Sequence, residues 1–252
     1  MNGVSAKNLT CIAGSATILD DVTLTFPPGQ LVGLIGPNGE GKSTLLRHLA
    51  GYLRPSSGAV AWNGRDLHLW SAADRGAASG YLPQHGGPAW DYSVREIVAL
   101  GAARVGGRAG SLQHTLKAFD LVALADRRWS CLSGGERARA MLASVLATRP
   151  ALVFADEPGA SLDIRHRLDL MARFKAAAAD AVVIVAMHDL DLAARYCDRI
   201  VLLDKGKVAA DASAQAIVDG DVLEHVFGVR FQRQTLDLDR DCLLPIAFIA
   251  AR

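Results

Sequence analysis

The chain has 252 residues, more than one typical core requires and fewer than two full domains usually take, so one large domain with appended lobes is the natural reading. Lys and Arg number 27 against 26 Asp and Glu, a formal net charge of +1, which supplies no general attraction for nucleic acid or anionic lipid and disfavours a nucleic-acid partner. Hydrophobic residues make up 50%, yet no apolar run approaches the roughly 18 residues that a membrane span requires.

The first ten residues, MNGVSAKNLT, show no basic segment followed by an apolar one, so no secretory signal is read there and a cytoplasmic location is expected. Cys11, Cys131, Cys197 and Cys242 stand far apart, with no C-x-x-C and no histidine at zinc-ligand spacing, and are read as reduced thiols.

In chain order, Leu31-Val32-Gly33-Leu34-Ile35 is a continuous apolar run that stops at Gly36, which suits a strand buried on both faces. Residues 43–50 follow with helical spacing. From residue 85 to about 149 no strand pattern appears, while 94–100 and 111–119 read as helices, which suggests a helical lobe inserted into the core. Residues 137–147, 164–179 and 190–197 read as helices, and 151–155, 182–187 and 200–203 as strands. Near the end, 229–236 and 242–249 flank 237–241 as a hairpin. Strands alternating with helices imply right-handed crossovers and a mainly parallel α/β sheet, with ligands beyond the carboxyl ends of its strands.

Gly36-Pro37-Asn38-Gly39-Glu40-Gly41-Lys42-Ser43, followed by Thr44, fits the phosphate-loop pattern G-x-x-x-x-G-K-[ST] between a predicted strand and a predicted helix. Glycines let successive N–H groups turn toward phosphate oxygens, and the helix start adds partial positive charge. Lys42 reaches the β- and γ-phosphates, and the Ser43 hydroxyl ligates Mg²⁺. A nucleoside triphosphate is the ligand this implies. The strand at 151–155 runs into Asp156-Glu157-Pro158, two adjacent carboxylates whose side chains point opposite ways. Asp156 is expected to hold Mg²⁺, and Glu157 to orient and polarise the attacking water.

Leu132-Ser133-Gly134-Gly135-Glu136 is a second anion-binding turn, bare glycines at a helix start with Ser133 also suited to capping. Together with the phosphate loop, these residues resemble the nucleotide-binding subunits of ABC transporters, whose signature is L-S-G-G-[QE]. The resemblance covers essentially the whole chain. It implies a P-loop NTPase core of the ABC-type ATPase class, with an N-terminal antiparallel β lobe, an inserted helical subdomain (about 86–149) and a C-terminal β-hairpin extension (about 221–252), all in a single domain. It further implies a head-to-tail dimer in which each phosphate loop faces the partner's signature across ATP. Gln84, in Tyr81-Leu-Pro-Gln84, resembles the family glutamine that contacts Mg²⁺ and water. Ser161-Leu162-Asp163 resembles the loop that crosses the dimer interface, and His188 resembles the histidine that bonds the γ-phosphate.

Phrases such as Tyr81-Leu-Pro-Gln-His85 and 93–101 are similar to the importers of ferric siderophores, haem and cobalamin. The resemblance thus implies an ATPase at the cytoplasmic face of the inner membrane that energises permease subunits and is served indirectly by a substrate-binding protein. An exporter subunit, a non-transport ABC ATPase and a small-molecule phosphotransferase stand as alternatives.

Two residues depart from the family pattern. Ala13 stands where members place an aromatic ring to stack on adenine, and Glu40 replaces a small or uncharged residue in the phosphate loop. Losing the ring costs about 1–3 kcal/mol by analogy with base–aromatic stacking. GTP is therefore expected to compete with ATP nearly on equal terms in a binding assay, and a strong preference for ATP would count against this reading of Ala13.

Overall fold

The computed structural model describes residues 3–84, 86–105, 111–160, 162–236 and 240–248, with backbone alone for 234–236 and 240–248. The chain opens with antiparallel strands β1 (Val4–Ala13) and β2 (Ala16–Phe26), joined by a two-residue turn at Gly14 and Ser15. Next come β3 (Gln30–Ile35), α1 (Lys42–Leu49), β4 (Ser57–Trp62), β5 (Arg65–Asp66), α2 (Ala72–Ala78) and β6 (Ser79–Leu82). Helices α3 (Val94–Ala103), α4 (Leu112–Ala118) and α5 (Gly134–Leu146) follow. Then β7 (Leu152–Asp156), α6 (Ile164–Ala178), β8 (Val182–Ala186), α7 (Leu190–Tyr196) and β9 (Arg199–Asp204) alternate. The chain continues through β10 (Lys207–Ser213), α8 (Ala214–Asp219) and α9 (Val222–Phe227) to the pair β11 (Val229–Leu236) and β12 (Arg240–Phe248).

The central sheet has the order β10-β9-β3-β8-β7-β6, parallel except for β10. Strands β3, β7, β8 and β9 carry continuous apolar runs because both faces are covered there, whereas edge strand β10 alternates toward solvent. Successive side chains alternate between two cores. Leu31, Ile35, Val153 and Val183 join Phe174 of α6, whereas Val32, Leu34, Phe154 and Ile184 join α1 and the N-terminal sheet β2-β1-β4-β5. Trp62 seals that second core, fully buried, with its indole N–H donating to the Leu49 carbonyl at 2.8 Å.

The inserted helices have a third core of their own, built on Val94, Val98, Leu116, Leu132 and Ala140. Among the described residues of 86–149 no strand forms beyond an isolated bridge between Ser93 and Arg128, in line with the sequence reading. The expected helix at 137–147 begins earlier, at Gly134, because Ser133 and Glu136 form a capping box that stabilises the first turn. The β12 strand begins at Arg240, so the hairpin connection is shorter than expected. Beside α7 runs β12, and Arg233 of β11 ties the hairpin to α8 and α9 through the Val218 and Gly220 carbonyls and a bond of 2.7 Å to Glu224. Cys11, Cys131 and Cys197 carry free thiols, Cys197 buried.

Gly101 of α3 sits directly on α5. A Cβ there would lie 2.1 Å from the Ser144 carbonyl oxygen and 2.7 Å from its Cα, both backbone atoms that cannot step aside. Arg104, one turn on, reinforces this contact by donating to the carbonyls of Ser79 at 2.9 Å and Val145 at 3.1 Å. Gly101→Ala is expected to destabilise the protein by about 1–3 kcal/mol through overpacking. Thermal denaturation checks this, and an unchanged melting temperature would show that the two helices can separate without cost.

Candidate functional site

Residues 36–41 join the end of β3 to α1 as a loop that depends on Gly36 and Gly41, and Lys42 and Ser43 open the helix. Gly36 has φ +153° and lies so close to β9 that a Cβ would come within 2.4 Å of the Leu203 carbonyl oxygen. Gly41 has φ +88°, with a Cβ position 2.8 Å from the Ile18 carbonyl oxygen. Gly41 caps α1 with no side-chain bond, and the first turn holds no acid, so the helix start presents bare N–H groups. Lys42 is buried, its Nζ donating to the carbonyls of Gly36 at 2.7 Å and Pro37 at 2.8 Å, which stretches it back across the loop. Burial lowers its pKa below the ordinary lysine value, while the charges of Glu157, Glu40 and Asp156 act in the opposite direction.

An open cavity of about 440 Å³ lies over this loop, lined by Asn38, Gly39, Gly41, Lys42, Ser43 and Thr44, with Gln84, Glu157 and Ile18 completing its walls. Asp156 ends β7 and is 1% exposed, its Oδ1 accepting the Ser43 hydroxyl at 2.8 Å and its Oδ2 the Tyr81 hydroxyl at 3.4 Å. Burial, with the Asp156 charge adding to it, pushes the Tyr81 phenol up to about 12, so Tyr81 stays a proton donor. The Ser43 hydroxyl and the Asp156 carboxylate form a pair of hard oxygen donors, the kind of set that suits Mg²⁺.

Glu157 is the first residue past β7 and leaves the strand conformation. Its φ is +44°, a conformation that costs a non-glycine residue about 1–3 kcal/mol, and its N–H donating to Ala186 O at 2.9 Å holds it there. Its Oε2 accepts from Gln84 Nε2 at 2.7 Å and lies 3.6 Å from Nδ1 of the exposed His188. The structure therefore brings the phosphate loop, Asp156, Glu157, Gln84 and His188 to one place.

The other expected site residues stand elsewhere. Ser133, Gly134, Gly135 and Glu136 open α5 and do not line the phosphate-loop cavity. Ser133 Oγ accepts the Glu136 N–H at 3.3 Å and Glu136 Oε2 the Ser133 N–H at 2.8 Å, so the helix-cap reading of Ser133 also holds. That cap holds the Glu136 carboxyl below the usual range. Gly134 instead borders a cleft of about 540 Å³ between the lobe and the core, shared with Gln84 and Pro158. Asp163 caps α6, accepting the His166 N–H at 2.9 Å; its neighbour Ser161 lies outside the described residues, as does His85. Ala13 ends β1 opposite Ala16 at the hairpin tip, and the apolar side chain that β2 gives to the cavity wall is Ile18.

Three neighbours went unread in the sequence. Tyr81 bonds Asp156, His166 bonds Asp163, and Arg167 donates to the Leu162 carbonyl at 3.1 Å and to Asp189 Oδ2 at 3.4 Å, linking the 162–163 turn to the segment that carries His188. His166 stands three residues past its cap Asp163 and Tyr81 lies in the phrase read for Gln84, while folding alone brings Tyr81 to Asp156 and Arg167 to Asp189.

This phosphate loop, with a paired carboxylate strand end and a separate Ser-Gly-Gly helix start, defines a P-loop ATPase of the ABC type. The chain belongs to the ABC transporter family, whose model matches residues 19–160, and is an ATP-binding, ATP-hydrolysing component of it. It is 38% identical to a hemin import ATP-binding protein, HmuV, of Rhodopseudomonas palustris (strain BisB18), over 99% of this chain and 97% of that relative. The protein of that name from Bradyrhizobium diazoefficiens is 41% identical over 90% of this chain and 88% of its own. A dimeric ATP-binding cassette in a post-hydrolysis state, bound to ADP and Pi, superposes with a TM-score of 0.74 at 26% identity, over 84% of this chain and 98% of that one.

Glu40 is half-buried and close enough to Lys42 for its charge to act on it. An added negative charge beside a triphosphate opposes binding. Glu40→Ala is expected to leave nucleotide affinity unchanged or to raise it in a fluorescent-nucleotide titration; a clear loss would show that Glu40 supports the loop.

Proposed function

We propose that two copies of this chain close head to tail around two ATP molecules and thereby energise a haem importer. The single observation that carries the head-to-tail reading is the division of anion-binding parts. One chain has two such turns, yet the one at 133–136 stands away from the cavity that holds Lys42, Asp156 and Glu157. A second copy supplies a natural role for it. The names of the relatives at 38% and 41% identity favour haem as cargo and import as direction.

In this reading Gly36 to Thr44 cradle the phosphates through backbone N–H groups, and Lys42 neutralises the β- and γ-oxygens. Ser43, Asp156 and Gln84 would hold Mg²⁺, which when bound offsets charge on the phosphate oxygens. Glu157 accepts a proton from the attacking water while Gln84 fixes its carboxylate. The water oxygen bonds to the γ-phosphorus as the bond to the β–γ bridging oxygen breaks, leaving ADP and phosphate. His188 bonds the γ-phosphate. Ser133 to Glu136 and Asp163 act across the interface on the partner's nucleotide.

The whole chain acts as one ATPase domain whose lobe at about 86–149 and hairpin extension at about 221–252 are parts of it. Among the described residues no helix is long and apolar enough to cross a membrane. Peripheral attachment at the cytoplasmic face, through permease subunits served by a substrate-binding protein, follows from the proposed role. ATP binding shifts the population toward the closed dimer, and hydrolysis releases it.

Glu157→Gln is expected to keep ATP binding and to lower the ATPase rate by roughly a hundredfold or more, the scale of a lost general base. Lys42→Ala is expected to weaken nucleotide binding itself. Steady-state hydrolysis together with equilibrium binding separates the two, and a wild-type rate in Glu157→Gln would remove Glu157 from the base role.

A further inference from the structure

Helices α5 and α6 begin beside one another, and His166 fills the gap between their first turns. A Cβ built on Gly135 would lie 3.0 Å from His166 Nδ1, 3.1 Å from Cε1 and 3.2 Å from Cγ, so the ring packs closely against the bare glycine and would have to give way to a larger residue. The same Nδ1 is 2.9 Å from each carboxylate oxygen of Asp163, and Asp163 Oδ1 also accepts the His166 backbone N–H at 2.9 Å. A carboxylate is an acceptor only, so Nδ1 is the nitrogen that carries the proton. The ring is thereby fixed from two sides, by the acid that caps α6 and by the bare backbone of the signature turn. Ser133 and Glu136 are occupied with each other, which leaves Gly135 as the signature residue against which the ring rests.

We propose that His166 is a positioning residue that locks the signature turn at 133–136 and the 162–163 turn into one unit. This rests on the head-to-tail reading, in which both turns meet the partner's nucleotide. Each turn alone could tilt with its own helix; joined through His166 they present Gly134, Gly135 and Asp163 in a fixed relation. His166 does not line the phosphate-loop cavity, so its work shows in closure of the dimer and not in capture of nucleotide by a single chain.

The test uses the full chain in a Glu157→Gln background, where ATP-driven dimers accumulate, read by sedimentation, with nucleotide affinity of the dilute chain read separately. His166→Ala is expected to weaken ATP-dependent dimerisation by roughly tenfold or more, while single-chain ATP affinity stays within about twofold. His166→Gln, which keeps an N–H donor toward Asp163, is expected to recover most of the loss. Gly135→Ala should cause a comparable loss when His166 is present and a smaller one when it is alanine, because the added methyl group then meets no ring. With Glu157 intact, His166→Ala should lower kcat and leave KM nearly unchanged. Unaltered dimerisation in His166→Ala, or a parallel fall in single-chain ATP affinity and melting temperature without recovery in His166→Gln, would overturn the proposal. Failure of Glu157→Gln alone to dimerise with ATP would instead overturn the head-to-tail reading, and this inference with it.

Discussion

The parallel pairing of β3, β8, β7 and β6 is the constraint on which the site depends. Leu34 pairs with Ala186, and Ala186 with Asp156, so three strands end at one level. Parallel strands carry their carboxyl ends to the same edge. The phosphate loop then starts two residues beyond Leu34, Glu157 one residue beyond Asp156, and His188 two beyond Ala186. Residues more than a hundred positions apart meet because the register of buried strands is not free to slip: a one-residue shift would exchange the two apolar cores.

On that edge, charge is concentrated in a small volume. Buried Lys42 faces the field of Glu157, Asp156 and Glu40, and Asp156 is satisfied by Ser43 and Tyr81. Glu157 is held in a left-handed conformation that points its carboxylate to Gln84. Such an arrangement costs stability locally and is maintained by the packed sheet beneath it. Gln84 lies just past β6 and borders both the phosphate-loop cavity and the cleft walled by Gly134, Arg137 and Met141 of α5, so among the described residues it is the one shared by the two.

Much of this was legible in the sequence. Continuous apolar runs marked β3, β7, β8 and β9 because both faces of the sheet are buried, and fixed spacing marked the phosphate loop, since its glycines and lysine fall within one short segment. The N-terminal sheet gave no comparable run. Strands β1 and β2 bury one face only, with Leu9, Leu19 and Phe26 inward among exposed neighbours, and irregular register interrupts their alternation. Tyr81 and Arg167 were illegible for a different reason: tertiary packing creates their contacts with Asp156 and Asp189, and the chain carries no spacing rule for these, whereas His166 stands at the i,i+3 spacing of a helix cap from Asp163, a local signal. Ser133 was legible in two ways at once, as a cap and as a phosphate-facing turn, and the geometry satisfies the first while leaving the glycine N–H groups for the second.

The central claim is that the ATP site is completed by a second chain. The exposed native Cys131, two residues before Ser133, offers a labelling site in a chain whose other cysteines are replaced, and a separate chain carries a label at Ser15→Cys in the exposed β1–β2 turn, outside the phosphate-loop cavity. Mixing the two and measuring the electron–electron distance tests the claim directly. A short, well-defined distance that appears with ATP and vanishes without it is predicted. The absence of any intermolecular distance at saturating ATP, with nucleotide bound, would contradict the account.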